Sequence, residues 1–222
     1  MTLTVLDMEQ RSDEWYEARR GIVTASIVGQ LITTKTMKPA DNDTSRAVVA
    51  QLVAERILGV SEDNYVSRDM WRGVESEPFA RDLYELHYAP VTEVGFMRLD
   101  MDGCTLGFSP DGLVGNHGFI EIKAPRAKEH IRTILADQVP SSYMAQIQAG
   151  LLVTGRQWCD YLSYCGGLPL YVKRVTPDEK WRTAIVAACE KFEIEAARML
   201  DEFTAATQHL HPTERIDLEV VV

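Results

Sequence analysis

The chain carries the stretch Cys104-Thr-Leu-Gly-Phe-Ser-Pro-Asp111-Gly-Leu-Val-Gly-Asn-His-Gly118-Phe-Ile-Glu121-Ile-Lys123. Its last six residues, 118–123, predict a short strand, because they begin with a glycine and Ala124-Pro125 follows. Side chains alternate along a strand, so Glu121 and Lys123 share one face, roughly 7 Å apart. A strand with one solvated face would by itself explain this pair of charges.

A second carboxylate lies upstream, at a predicted bend. Asp111 is flanked by Pro110, which restricts one backbone angle, and by Gly112, which permits a positive one. The turn 115–118 would then bring the strand of Glu121 back alongside Asp111. Neighbouring carboxylates repel each other unless a cation lies between them, and oxygen ligands favour Mg²⁺ over Zn²⁺. A lysine beside such an ion can orient a water and stabilise an attacked phosphate, so the three side chains indicate a phosphodiesterase.

Length and composition bound the class of protein. The 222 residues suit one α/β domain, and we expect no membrane segment, because no apolar run approaches ~20 residues. Four scattered cysteines indicate reduced thiols in a cytoplasmic protein. The net charge of −10 argues against a general DNA coat but not against an enzyme that encloses its substrate. Positive side chains are gathered in two groups, Arg11, Arg19 and Arg20, and Lys123, Arg126, Lys128 and Arg132.

The remaining pattern predicts an α/β fold, with a mixed, twisted sheet of about five strands flanked by helices. Helices are predicted over 45–58, up to His87, and from Pro140 to Gly155. Two hairpins are predicted, over 91–109 and 158–175. Thr176-Pro-Asp-Glu179 reads as a capping box before a long amphipathic helix. Residues 207–222 read as a tail of the single domain 1–222.

Four ordered blocks of the chain resemble the PD-(D/E)xK nucleases, and within them lambda-phage exonuclease and its YqaJ-type viral recombinase relatives. The resemblance covers about residues 11–175, and Ala124 stands where the lambda enzyme has cysteine. The blocks are Trp15-x-x-x-Arg19-x-Gly-x-x-Thr-Ala-Ser26, Gly73-x-x-x-Glu77, Ser-Pro-Asp111-Gly with Glu121-Ile-Lys123-Ala-Pro, and Tyr143-Met-Ala-Gln146-Ile-Gln148.

The resemblance implies a restriction-endonuclease-like core and a role for each matching residue. Asp111 and Glu121 would bind metal, and Glu77, preferred over Glu75, would contribute directly or through water. Lys123 and Gln146 would position the attacking water. The implied cofactor is Mg²⁺, as two ions, with Mn²⁺ as a substitute. Arg19 and Ser26 would bind the 5′-phosphate of DNA.

The activity implied by the resemblance is that of a 5′→3′ exonuclease on the ends of linear double-stranded DNA. It would release 5′-mononucleotides and leave a 3′ single strand for recombination by annealing. The implied partners are two further copies, in a homotrimeric ring, and a single-strand annealing protein, within a bacterial cell that hosts a phage or prophage. Two alternatives remain open: a restriction-like or structure-selective endonuclease with the same site, and a non-catalytic DNA-binding module.

Overall fold

A computed structural model describes residues 1–61 and 68–214 of the chain. Helices and strands are mixed along it. The helices are α1 (Asp13–Arg19), α2 (Ala25–Val28), α3 (Asp43–Leu58), α4 (Arg68–His87), α5 (Ala127–Ala136), α6 (Ser141–Thr154) and α7 (Glu179–Thr207). The strands are β1 (Thr2–Leu6), β2 (Val23–Thr24), β3 (Ile32–Thr33), β4 (Lys38–Pro39), β5 (Phe96–Met101), β6 (Cys104–Phe108), β7 (Gly112–Val114), β8 (Gly118–Lys123), β9 (Trp158–Ser163) and β10 (Tyr171–Val175).

The strands form two four-stranded sheets and a small two-stranded one. One sheet has the order β1-β5-β6-β2 and the other the order β10-β9-β8-β7. The predicted α/β class with mixed sheets is confirmed, whereas the single sheet of about five strands is divided in two. The division falls between β6 and β7, where Pro110 has no N–H to donate to a ladder.

Local sequence signals explain most of the element ends. Gly103 turns the hairpin between β5 and β6 with φ 78°, and Gly155 ends α6 with φ 63°. Ser12 caps α1 by accepting a hydrogen bond from the N–H of Trp15. The capping box predicted at Thr176 is wrong, because Asp178 is the residue that caps α7.

Further expectations from the sequence concern the C-terminal tail, a loop, the cysteines and membrane segments. The tail predicted over 207–222 is helical at its first residue, and 215–222 lie outside the described residues. The sequence also predicts a loop over about 61–68, of which 62–67 lie outside the described residues. All four cysteines are free thiols. In the described ranges, the helices lack the combination of length and apolar character that a membrane span requires.

Strand β8 is buried on both faces. Ile120 and Ile122 pack with Ala80 and Tyr84 of α4, while Phe119 lies in the larger core cluster. Glu121 has only 1% of its surface exposed, so a solvated face does not explain this acid. A buried carboxylate needs partners that compensate its charge, and these partners lie on α6 and at the end of β8 itself.

Candidate active site

Glu121, Lys123 and Gln146 form a closed triangle of contacts. Lys123 Nζ lies 2.6 Å from Glu121 Oε1 and donates to Gln146 Oε1 over 3.2 Å. Gln146 Nε2 donates to the same Glu121 oxygen over 2.6 Å. Strand periodicity places the first two residues on one face, and α6 packs Gln146 against them. The structure therefore brings together three predicted residues from two separate blocks of sequence.

The second oxygen of Glu121 has no such partner. Glu121 Oε2 is buried and makes no hydrogen bond in the structure. An unsatisfied buried carboxylate oxygen is rare, since its desolvation is not compensated. This atom is available to a cation, and its oxygen chemistry suits a hard ion such as Mg²⁺.

Asp111 lies beside this cluster, immediately before β7. Its Oδ2 accepts a hydrogen bond of 2.5 Å from the N–H of Ile122. Burial raises the pKa of Asp111, and the charges of Glu121 and Glu77 raise it further against the opposing effect of Lys123. A cation between the carboxylates would reverse that repulsion, so the donor set of Asp111 and Glu121 fits a divalent metal.

Lys123 keeps its positive charge in this setting. Burial lowers the pKa of Lys123, but the charges of Glu121 and Asp111 outweigh that effect and raise it overall. The ammonium also lies 5.3 Å from the centre of the Tyr143 ring. Lys123 can therefore supply a fixed positive charge at the site.

Glu77 is held by two arginines. Its Oε1 accepts from Arg81 Nη2 over 2.7 Å, and its Oε2 accepts from Arg11 Nη2 over 2.9 Å. Glu75 is exposed and does not line the cleft that Glu77 lines. Across residues 1–61 and 68–214, no three His, Cys, Asp or Glu side chains lie close enough to share a metal ion. The structure thus places Glu77 at the cleft, with arginines as its partners.

Arg81 links Glu77 to the turn that carries Asp111. Its Nε donates to the main-chain oxygen of Asp111 over 3.0 Å, and its Nη1 pairs with Glu93 over 2.9 Å. The sequence analysis did not select this residue. The spacing of four residues between Glu77 and Arg81 is the helical signal that could have found it.

Part of this set lines a cleft of about 1080 Å³, namely Arg11, Glu77, Asp111, Lys123 and Tyr143. Asp111 and Lys123 lie in it together with Tyr161 of β9, which the sequence analysis did not select and for which the sequence offered no signal. The hydroxyl of Tyr161 is buried without a hydrogen-bond partner. Three further arginines contribute to the walls of the cleft, Arg72, Arg126 and Arg132. Both carboxylates and arginines therefore line the cleft.

The two residues predicted to bind a 5′-phosphate lie in different surroundings. Ser26 is exposed in the first turn of α2 and lines the cleft, with its Oγ 3.0 Å from Thr24 Oγ1. The guanidinium of Arg19 lies 3.8 Å from the centre of the Trp15 ring, and burial lowers the pKa of Arg19 to about 10. Trp15 in turn donates from Nε1 to Ser109 over 2.8 Å, two residues before Asp111.

Gln148, the second glutamine of the α6 block, is a structural residue. Its Nε2 donates to the main-chain oxygen of Thr176 over 2.9 Å, and its Oε1 accepts from the N–H of Asp178 over the same distance. These bonds attach α6 to the segment that precedes α7. They also explain why Asp178, rather than Thr176, is positioned as the cap.

The four blocks of sequence lie in a region of the chain that matches a known protein family. The model of the YqaJ-like viral recombinase domain matches residues 14–157, more than half of the chain. The chain belongs to this family. All four blocks lie inside the matched range, and the first block, from Trp15 onward, begins just after its start. No curated protein sequence matches this YqaJ-family chain.

The solved structures of two exonucleases are similar to this chain. An alkaline exonuclease from Laribacter hongkongensis, LHK-Exo, is 34% identical with a TM-score of 0.77, over 90% of this chain and 100% of that one. The complex of LHK-Exo with dAMP is 34% identical with a TM-score of 0.78, over the same shares of the two chains. A phage-related exonuclease from Haemophilus somnus 129PT shares the fold, at 14% identity and a TM-score of 0.54, over 80% of this chain and 96% of that one.

Proposed function

We propose that this YqaJ-family protein is a Mg²⁺-dependent 5′→3′ exonuclease on linear double-stranded DNA. One observation carries the proposal: Asp111 and Glu121 converge beside Lys123 and Gln146, and Glu121 Oε2 is left without a partner. The similarity to LHK-Exo supports the proposal, because that protein is an alkaline exonuclease and has been solved with a mononucleotide, dAMP.

The residues of the cluster would divide two tasks between them, binding the metal and positioning the water. Asp111 and Glu121 would hold Mg²⁺, as one or two ions, with Mn²⁺ as a substitute. The metal, when bound, would activate a water and neutralise charge on the attacked phosphate. Lys123 and Gln146 hold Oε1 of Glu121, which leaves Oε2 available to an ion. The same two side chains can orient the attacking water, since an ammonium donates and an amide both donates and accepts.

Glu77 would contribute to the ion after a rearrangement or through a water. Its two oxygens are engaged by Arg81 and Arg11 in the structure. A direct metal contact therefore requires Glu77 to release one arginine. Binding through a water requires no such release.

Digestion of one strand from its 5′ end would release 5′-mononucleotides and leave a 3′ single strand. We propose that this strand serves recombination by annealing in a bacterial cell that hosts a phage, with an annealing protein as partner. We also propose a homotrimeric ring, because a chain with a net charge of −10 has little general affinity for DNA. If light scattering shows only a monomer at micromolar concentration, the proposal of a ring is contradicted.

The decisive experiment digests end-labelled linear duplex beside a covalently closed circle, with Mg²⁺ and with EDTA. We expect mononucleotides from the linear DNA, an intact circle, and no cleavage in EDTA. Lys123→Ala is the matched inactive protein, which identifies a contaminating nuclease. Cleavage of the circle would favour the endonuclease, and binding without any cleavage would favour the non-catalytic module.

A second experiment tests the proposed 5′-phosphate site. A guanidinium binds phosphate through charge-assisted hydrogen bonds, which predicts roughly tenfold faster digestion of 5′-phosphorylated than of 5′-hydroxyl ends. Arg19→Ala and Ser26→Ala should each reduce this preference. Equal rates on both ends for the unmodified protein would refute the site while leaving the metal cluster unaffected.

A further inference from the structure

The turn that carries Arg11 is strained. Arg11 has φ 72°, in the left-handed region where a Cβ atom is unfavourable and glycine is preferred. The turn is held in place by its neighbour, because Gln10 Nε2 donates to Val94 O over 2.9 Å and to Pro110 O over 3.0 Å. A glycine would adopt this backbone without strain, so the turn itself does not explain the arginine. Strained residues of this kind concentrate at functional sites.

The side chain of Arg11 reaches into the catalytic cleft. It lines the cleft, it is 44% exposed, and its ion pair is with Glu77 Oε2 at 2.9 Å. Glu77 has a second partner, since its other oxygen accepts from Arg81 over 2.7 Å. Glu77 therefore keeps an arginine when Arg11 leaves. An ion pair with so exposed a partner is weak, whereas a guanidinium can bind a phosphate through two parallel hydrogen bonds.

The position of Arg11 in the cleft suits a DNA backbone. Gln10 attaches the turn to Pro110, so Arg11 belongs to the wall beside Asp111. Two other arginines of the cleft also pair with protein groups, Arg72 with Ala124 O over 3.0 Å and Arg132 with Glu129 at 2.8 Å. Arg11 differs from them in its strained backbone and in a partner, Glu77, that keeps a second arginine. A duplex approaching a chain with a net charge of −10 requires cations close to the carboxylates.

We propose that Arg11 binds a backbone phosphate of the DNA substrate and that Glu77 is its resting partner in the free protein. The proposal rests on the proposed function, because it takes DNA as the ligand. It adds a phosphate contact on the α1 side of the cleft, apart from Arg19. The arginine exchanges one anion for another, and Arg81 keeps Glu77 neutralised during the exchange.

The test is Arg11→Gly, with binding of a short blunt-ended linear duplex measured by fluorescence anisotropy in EDTA over a salt series. We expect roughly tenfold weaker binding, because one charge-assisted contact is lost. The slope of log affinity against log salt should fall by about 0.9, the value for one phosphate contact. The Tm should stay unchanged or rise, because glycine relieves the strained turn.

Two further variants serve as controls. Arg98→Ala removes an arginine that is also 44% exposed and paired with an acid, Asp100, but does not line the cleft, so its binding should match the unmodified protein. Arg11→Lys keeps the charge and should largely retain the salt slope. The proposal is overturned by an Arg11→Gly variant with unchanged binding and slope, by one whose binding and Tm fall together, or by an equal loss in Arg98→Ala.

The role of Arg11 and the proposed function can be tested independently of each other. If the unmodified protein binds no DNA, both proposals fall. If it binds and cuts DNA while Arg11→Gly binds equally well at every salt concentration, only the role of Arg11 falls. If it binds DNA without cutting it and Arg11→Gly shows the expected loss, Arg11 stands as a contact of a binding module and the nuclease falls.

Discussion

Two buried carboxylates lie on neighbouring strands of the same sheet and have opposite surroundings. Asp160 on β9 is 2% exposed, and both of its oxygens are bonded: Arg174 donates to each over 2.8 Å and Tyr84 adds a bond of 2.7 Å. The guanidinium of Arg174 is held 3.7 Å from the centre of the Trp158 ring. This acid is neutralised and saturated within the protein.

Glu121 on β8 is equally buried, but only one of its two carboxylate oxygens has hydrogen-bond partners. Two donors converge on Oε1, while Oε2 has none. The register pairs Glu121 with Tyr161 and Ile120 with Asp160, so the two acids face opposite sides of the sheet. The comparison teaches that burial alone does not mark a functional acid. The acid whose oxygens are all bonded stabilises the fold, and the acid with an open oxygen is the one that fits a cation.

The largest difference between Glu121 and Asp160 is expected in the rate of DNA cleavage. Glu121→Gln should reduce cleavage of linear duplex by at least about a hundredfold, because the metal and the positioned water are lost. The measurement is turnover with Mg²⁺, with circular dichroism to show folding, and Glu195→Gln on α7 as the control for loss of an acid. Near-normal turnover of folded Glu121→Gln would contradict the site.

The opposite acid should affect stability instead. Asp160→Ala leaves the buried hydroxyl of Tyr84 without its acceptor and leaves Arg174, whose side chain is 53% exposed, without its acid, which together lowers the free energy of unfolding by about 2 kcal/mol. Turnover per folded molecule should stay close to that of the unmodified protein. Denaturant titration combined with turnover checks both. A loss below about 1 kcal/mol, the value typical of an exposed pair, would show that Asp160 is not the structural counterpart of Glu121.

A smaller effect is expected at Asp111 and depends on pH. Burial and the neighbouring carboxylates raise the pKa of Asp111 above its unfolded value. Its contribution to stability is therefore fully present below the unfolded pKa and is lost as pH rises through the folded pKa. Above that pH, Asp111→Asn should stabilise the metal-free protein, because it removes a buried charge that its neighbours repel.

The measurement for Asp111 is the denaturation midpoint in EDTA across a pH series, repeated with Mg²⁺. The unmodified protein should gain more stability from Mg²⁺ than Asp111→Asn does, because the ion removes the repulsion only where the carboxylate is present. Identical pH profiles of the two proteins in EDTA would contradict the assignment of the repulsion to Asp111.

The smallest contrast compares two buried tyrosines. Tyr84→Phe removes the hydroxyl that holds Asp160 and should cost about 1 kcal/mol. Tyr161→Phe removes a hydroxyl without a partner and should leave stability unchanged or increase it by up to about 1 kcal/mol. Thermal denaturation of both variants measures this difference. If Tyr161→Phe loses more stability than Tyr84→Phe, the hydroxyl of Tyr161 has a hydrogen-bond partner and the comparison is contradicted.

Much of the architecture follows from signals that are local in sequence. Glycines at positions 103 and 155 adopt positive φ where the turns require it, and Ser12 caps α1. Glu121 and Lys123 share a face because a strand has a period of two. These features depend on neighbouring residues alone, which is why they were predictable. The family resemblance added Gln146, whose position against Glu121 no local pattern indicates.

The failures of prediction have a common physical cause. Thr176 has the sequence of a cap, but its carbonyl is taken by Gln148 from another helix, and Asp178 is used instead. The strand of Glu121 was compatible with a solvated face, but helices cover both of its sides. In each case a contact between distant residues overrides a local preference.

The sequence by itself determined the order of most elements, the turns between them, and the choice of Asp111, Glu121 and Lys123 as a candidate set. Only the tertiary structure decided that Glu121 has an open oxygen, that Asp160 has none, and that Arg11 pairs with Glu77 across 66 positions of the chain. Turns and strand periodicity arise from backbone sterics between neighbours. Saturation of a buried carboxylate depends on how many donors the packed helices bring to it, and no local pattern specifies that number.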